Sequence, residues 1–290
     1  MVFLGENSAV ALRQTGEGTD GFDTIEDPLE PPPQRERDQF KIRMRNIRKS
    51  FPLGRKKILP VLRNVTFSVA DGDFLVVLGK SGCGKSTLLH LMAGLTPLSG
   101  GEIRVDGVPV TGPDPSRALL FQQPTLLPWL TVAENIVFGC RIRNDRHRLE
   151  ERAARLVQMM GLSGFERTRP HELSVGMAQR VCLARALIGQ PDILLLDEPF
   201  AALDTFTRNH LQEQLIDLWR REKFTVVFVT HDINEAILMG QRILLLGGAP
   251  SRPVGVFDVN LHYPRDMGAK PFLLIRSEIR QRFRKVFLES

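Results

Sequence analysis

The clearest alternation of charged and apolar positions comes early in the chain. Lys41-Ile42-Arg43-Met44-Arg45-Asn46-Ile47 has period two, which predicts a half-buried strand. Leu62 to Val69 and Phe74 to Leu78 predict two more strands, split by the turn residues Asp71-Gly72. The period then lengthens to that of a helix over residues 86–93, and Gly94 is placed to stop it. Gly101 to Val110 predicts a hairpin around Asp106-Gly107, and Arg117 to Phe121 a short strand. A helical section follows. Thr131 and Glu134 have capping-box spacing, and Arg148 to Met160 carries an apolar face ended by Gly161. Helix and strand then alternate: Met177–Leu187 helical, Ile193–Leu196 a continuous apolar strand, His210–Glu222 helical, Phe224–Val229 a strand. Asp232–Met239 is helical, with Asp232 and Glu235 at capping-box spacing, and Arg242–Leu246 is a strand. This alternation predicts an α/β fold. The tail, 272–287, stripes Phe272, Ile275, Ile279, Phe283 and Val286 on one helical face with arginines opposite. It predicts an amphipathic helix packed on the body, with a membrane-surface helix as the alternative.

Composition narrows the class. Of 290 residues, 42% are apolar and 25% charged, ordinary for a globular protein. No apolar run reaches the ~18 residues of a membrane span. The start, Met1-Val2-Phe3-Leu4-Gly5-Glu6, has no basic n-region, so no signal peptide is expected. Three cysteines without a C-x-x-C argue against a disulfide framework or zinc site and fit a reducing cytoplasm. The net charge of +6 is uneven. Residues 1–40 hold nine acids against three arginines, −6, leaving +12 for the rest. Residues 1–39, rich in Gly, Glu, Asp and Pro, predict a disordered acidic arm. The basic body suits anionic ligands without choosing among nucleotides, nucleic acid and membrane.

Two stretches carry chemistry. Gly79-Lys80-Ser81-Gly82-Cys83-Gly84-Lys85-Ser86-Thr87 lies between a predicted strand and a predicted helix, the setting in which G-x-x-x-x-G-K-[ST] cradles phosphate. Its glycines let backbone N–H groups turn inward at a helix start, Lys85 offers a cation to terminal phosphates, and Ser86 a hydroxyl to Mg²⁺. Ile193-Leu194-Leu195-Leu196-Asp197-Glu198-Pro199 ends an apolar strand in two carboxylates, at the edge where parallel sheets bind ligands. Asp197 can hold Mg²⁺, and Glu198 can orient or deprotonate a water. Singly, each has a plain alternative: a glycine turn, a solvated strand end.

With five further ordered motifs, the chain resembles the nucleotide-binding subunit of an ABC transporter over residues 41–247. Phe51 sits where that family stacks an aromatic on adenine, although an isolated Phe is more often core. Gln122 matches the glutamine that reaches metal and water and senses the permease. Leu173-Ser174-Val175-Gly176-Met177-Ala178-Gln179-Arg180 matches the signature motif, Ala202-Leu203-Asp204 the loop that follows, and His231 the histidine that contacts the γ-phosphate. The resemblance implies a P-loop NTPase with a RecA-like core, an antiparallel β subdomain and an inserted α-helical subdomain at about 123–178. It implies a nucleotide-binding domain over 40–260 and a helical tail over 261–290.

The same resemblance implies ATP and Mg²⁺ as cofactors and catalysis by Glu198, His231, Gln122 and Lys85. Nucleotide would be held by Phe51, Gly79–Thr87 and Asp204, and metal by Ser86, Gln122 and Asp197. Ser174 and Gly176 would reach the nucleotide of a second subunit. Partners would be that subunit, a transmembrane permease and a separate solute-binding protein, with the chain peripheral on the cytoplasmic face of the inner membrane. No nucleic acid is expected. The fifth signature residue, Met177, and the stretches Leu126-Leu127-Pro128-Trp129-Leu130 and Arg265–Phe283 resemble importers of the nitrate, sulfonate and taurine type. Trp129 is either core or a docking patch. Val175 departs from the usual glycine; if the backbone there needs φ > 0, a β-branched residue is costly and ATPase is weakened. The competing classes are an ABC ATPase acting on nucleic acid or ribosomes, and a non-hydrolysing scaffold.

Overall fold

The structure is a computed structural model that describes residues 40–54 and 57–287; the predicted acidic arm lies outside them. The chain divides into two compact units. Of the described residues, one unit takes those up to Leu88, Pro97–Val110 and those from Thr230, and the other takes Leu89–Thr96 and Thr111–Val229.

In the first unit, β1 (Phe40–Leu53) and β2 (Lys57–Ala70) form a long antiparallel ribbon. With β4 (Gly100–Val105) and β5 (Val108–Pro109) they form a sheet of order β2-β1-β4-β5. The alternation holds where expected: Ile42, Met44 and Ile47 are buried. Both long strands overrun their predicted ends, pairing Phe51 with Leu59, Pro52 with Ile58 and Leu53 with Lys57. The prolines and Gly54 hide this extension from a period-two reading, because proline usually marks an edge.

The core strand β3 (Phe74–Leu78) is buried at every residue and pairs in parallel with β9 (Arg242–Gly247). Beyond β9 runs β10 (Arg252–Asp258), antiparallel, a strand that Pro253 and Gly255 conceal in the sequence. The helix α6 (Ile233–Met239) and the C-terminal α7 (Lys270–Phe287) belong to this unit. Phe272, Ile275 and Ile279 are at most 1% exposed, and Arg282 Nε donates to the Val254 carbonyl at 2.9 Å. The docked reading of the tail therefore stands over the membrane-surface one, since the first three residues of the stripe are buried and Phe283 and Val286 are half-buried. No helix among the described residues is long and apolar enough to cross a membrane.

In the second unit β6 (Arg117–Leu120), β7 (Ile193–Asp197) and β8 (Thr225–Thr230) run parallel, side by side. The helices are α2 (Val132–Ile142), α3 (Leu149–Met159), α4 (Val175–Leu187) and α5 (Thr205–Glu222). The capping box of α2 is present: Thr131 Oγ1 accepts from the Glu134 amide, and Glu134 accepts from the Thr131 amide at 2.8 Å. The helix predicted from His210 starts five residues earlier, at Thr205, because Asp204 caps it through the Thr207 amide at 3.0 Å. Its polar first turn gives no apolar period to read.

Asn135, fully buried in α2, is a residue the apolar pattern misses. It accepts from the Leu127 amide and donates to the carbonyls of Leu127, Leu130 and Thr131 at 3.0–3.1 Å. The loop it pins leaves Trp129 67% exposed, which decides against the core reading of that tryptophan.

Candidate nucleotide site

The glycine loop joins β3 to α1 (Lys85–Met92). Its glycines are required for different reasons. A Cβ on Gly79 would lie 2.7 Å from Cys83 Sγ and 2.9 Å from the Leu246 carbonyl. Gly84 has φ +92, and a Cβ there would meet Val61 Cγ1 at 2.9 Å. The loop closes through the Cys83 amide on the Lys80 carbonyl at 3.2 Å, and the helix opens with Leu88 N–H on Gly84. Lys85, only 4% exposed, donates to the carbonyls of Gly79 at 2.9 Å and Lys80 at 3.1 Å. Its ammonium is thus held inside the loop, at the positive end of α1, where an anion gains from both charges. Burial pushes the Cys83 thiol up, against the pull of Lys85, so this loop thiol is a poor nucleophile.

Phe51 lies on the overrun of β1, 36% exposed, with Lys49 Nζ 4.6 Å above its ring. It is a rim residue rather than core. His231 follows β8 and is exposed. The next residue, Asp232, caps α6 by accepting from the amides of Asn234 and Glu235. The reciprocal arm of the predicted capping box is absent: Thr230 Oγ1 bonds the Glu235 carboxylate instead, and the Asp232 amide turns to Thr230 Oγ1 at 3.1 Å. Glu235 thereby tightens the bend that carries His231.

In the second unit, Gln122 sits exposed two residues beyond β6. The base of its loop is held by Gln179, a buried residue of α4 that donates to the Phe121 carbonyl at 3.3 Å. Asp197 closes β7 and is 4% exposed. Glu198 is left-handed, φ +45, with its amide on the Val229 carbonyl at 3.1 Å. A non-glycine residue seldom adopts this conformation, and it persists where surroundings impose it, often at functional sites.

Ser174 caps α4, its Oγ accepting from the Met177 amide at 3.2 Å. Val175 is the first helical residue, absent from those with positive φ, and 61% exposed. The expected strain at Val175 is therefore not there. Gly176 is the sterically restricted position: a Cβ would stand 3.0 Å from Leu203 Cδ2. Asp204, which caps α5, has its carboxyl held below the usual range, first by the Thr207 hydroxyl and then by its amide. Arg208 pins the same loop through the carbonyls of Leu203 at 2.8 Å and Phe200 at 3.3 Å, a support that the sequence motif does not announce.

The expected metal donors are a hydroxyl, an amide oxygen and a carboxylate, the hard oxygen set that suits Mg²⁺. Among the described residues no group of three or more His, Cys, Asp or Glu could hold a metal. The oxygen donor set fits an ion that arrives on phosphate and keeps much of its water.

A lysine-bearing glycine loop at a helix start, together with a parallel strand ending in Asp-Glu, defines a P-loop nucleoside triphosphatase. Residues 62–201 match the ABC transporter family. The chain is 44% identical over 229 residues to an aliphatic sulfonates import ATP-binding protein of Bacillus cereus, covering 79% of this chain and 90% of that one. It is 41% identical over 247 residues to an uncharacterized ABC transporter ATP-binding protein of Methanocaldococcus jannaschii, covering 85% and 92%. A solved dimeric ATP-binding cassette in a post-hydrolysis state, bound to ADP and Pi, matches with TM-score 0.69 and 31% identity over 76% of this chain and all of that one. The chain belongs to the ABC transporter family and is an ATPase.

Proposed function

We propose that this chain is the ATP-hydrolysing subunit of an importer for a small anionic solute of the sulfonate, taurine or nitrate type. It works as a homodimer at the cytoplasmic face of the membrane, beside a permease and a solute-binding protein. The observation that carries the reading is the contrast between the enclosed Lys85 and the bare Ser174–Gly176 helix start, which suits a site completed by a second copy. The relatives named for sulfonate import support import over a nucleic-acid role.

In this reading Lys85 and the loop amides take the β- and γ-phosphates, Phe51 faces the adenine, and Ser86, Gln122 and Asp197 hold Mg²⁺. The ion supplies charge neutralisation at the phosphates when bound. Glu198 orients the attacking water and accepts its proton, His231 contacts the γ-phosphate, and Ser174 and Gly176 meet the partner's nucleotide. Asp204 stands at the adjoining loop. The exposed Trp129 loop is where the permease docks.

Glu198→Gln tests the assignment. It is expected to keep ATP binding, accumulate a stable ATP-bound dimer on size-exclusion chromatography, and lose hydrolysis by on the order of 10²-fold or more. Normal turnover would remove Glu198 from its role. Uptake of labelled sulfonate by reconstituted vesicles tests the solute.

A further inference from the structure

A solvent-open depression of about 340 Å³ lies between α3 and α5, lined by the exposed Arg155, Gln158, His210 and Arg221 and the half-buried Met159 and Gln214. All six belong to the second unit. None is part of the nucleotide motifs. From this depression we infer that the chain binds a second, small oxyanion, a sulfonate or a phosphate, in addition to its nucleotide.

The periodicity of both helices makes the site. His210, Gln214 and Arg221 recur at i, i+4 and i+11 on α5, and Arg155, Gln158 and Met159 at i, i+3 and i+4 on α3, so each set shares one face. The two helices bury other residues for packing: Leu156 and Val157 on α3, and Leu211, Leu215, Leu218 and Trp219 on α5. The face turned to the depression is left to donors.

These donors have few partners of their own. Among the described residues Arg155 reaches only Glu222, at 3.7 Å, in a loose pair whose side chains are 58% and 47% exposed. Such a pair contributes little. Arg221 spends Nε on the Asp217 carbonyl at 3.3 Å and keeps its terminal nitrogens. Among the described residues the side chains of Gln158, His210 and Gln214 make no hydrogen bond.

No carboxylate lines the depression. Two guanidinium forks, two amides and an imidazole around such a volume match a three-oxygen anion, which arginine takes two oxygens at a time. Met159 gives an organic tail one apolar wall. The volume is at the lower end for small-molecule pockets. An occupant would tie α3 to α5, the helix that Asp204 caps.

The inference does not rest on the importer reading, and its test is separate from transport. The full chain, saturated with the magnesium complex of a non-hydrolysable ATP analogue so that the γ-phosphate position is filled as well, is titrated calorimetrically at constant ionic strength with inorganic phosphate and with ethanesulfonate. One saturable site is expected, weakened about tenfold by Arg155→Gln and by Arg221→Gln, and abolished by both. Arg221→Lys, which keeps the charge and loses the fork, should fall between wild type and Arg221→Gln. It also serves if a glutamine variant misfolds. Tighter ethanesulfonate would mark the site for a sulfonate, and tighter phosphate for a phosphorylated compound. Absence of saturable binding with the ATP analogue present, or binding that survives the double variant, would overturn the inference.

Discussion

In the proposed mechanism two helix starts carry the chemistry, and the protein treats them in opposite ways. At α1 the chain wraps its own helix start: Lys85 is buried and bonded to loop carbonyls, and Gly84 is pressed against Val61. At α4 the start is bare. Ser174 and Val175 are exposed, and Phe206, in the first turn of α5, is 84% exposed. Both starts present first-turn backbone amides and a positive dipole end. The first is already shaped for phosphate. The second is internally braced, by Gly176 against Leu203 and Arg208 on the Leu203 carbonyl, and open only outward. A loop finished inside and bare outside suits contact with another molecule.

Three substitutions would break or sharpen that contrast. The largest effect is expected from Lys85→Ala, which empties the enclosed start. ATP binding should fall below detection in equilibrium dialysis and kcat by on the order of 10²–10³-fold. Phe206→Glu acts on the bare side alone. The monomer's denaturation midpoint should stay within about 0.5 kcal/mol of wild type. The ATP-trapped dimer of a Glu198→Gln background should weaken about tenfold, or about 1.4 kcal/mol, in analytical ultracentrifugation. An unchanged dimer would mean that no second copy covers that face. Val175→Gly should do least: steady-state ATPase of the assembled complex within about twofold of wild type, because the backbone there is already helical.

That last outcome shows how far sequence can be read. The glycine loop and the apolar strand before Asp197 were legible because each is a local pattern with a local physical cause. So was the cap of Ser174, which follows from one hydroxyl and one helix. Val175 was not legible, since strain depends on a backbone angle that a motif comparison does not contain. The supports were hidden for another reason. Asn135, Gln179 and Arg208 act on carbonyls and amides of loops, and backbone partners leave no mark in residue order. The ribbon beyond Phe51 and the strand β10 were obscured by proline and glycine, which signal interruption even where an edge strand tolerates them.

The left-handed turn at Glu198 has a consequence for inheritance. Glycine adopts φ +45 without the steric cost, on the order of 1 kcal/mol, that glutamate carries there. Part of that relief is offset by the freedom glycine gains when unfolded. Glu198→Gly is thus expected to unfold at a urea midpoint equal to or above that of wild type while hydrolysing almost no ATP. A lower midpoint would show that the carboxylate itself stabilises the fold. If the expected midpoint holds, a gene copy no longer selected for turnover could lose this residue without a penalty in folding, so the glutamate is kept by the demands of the reaction and not by those of the fold.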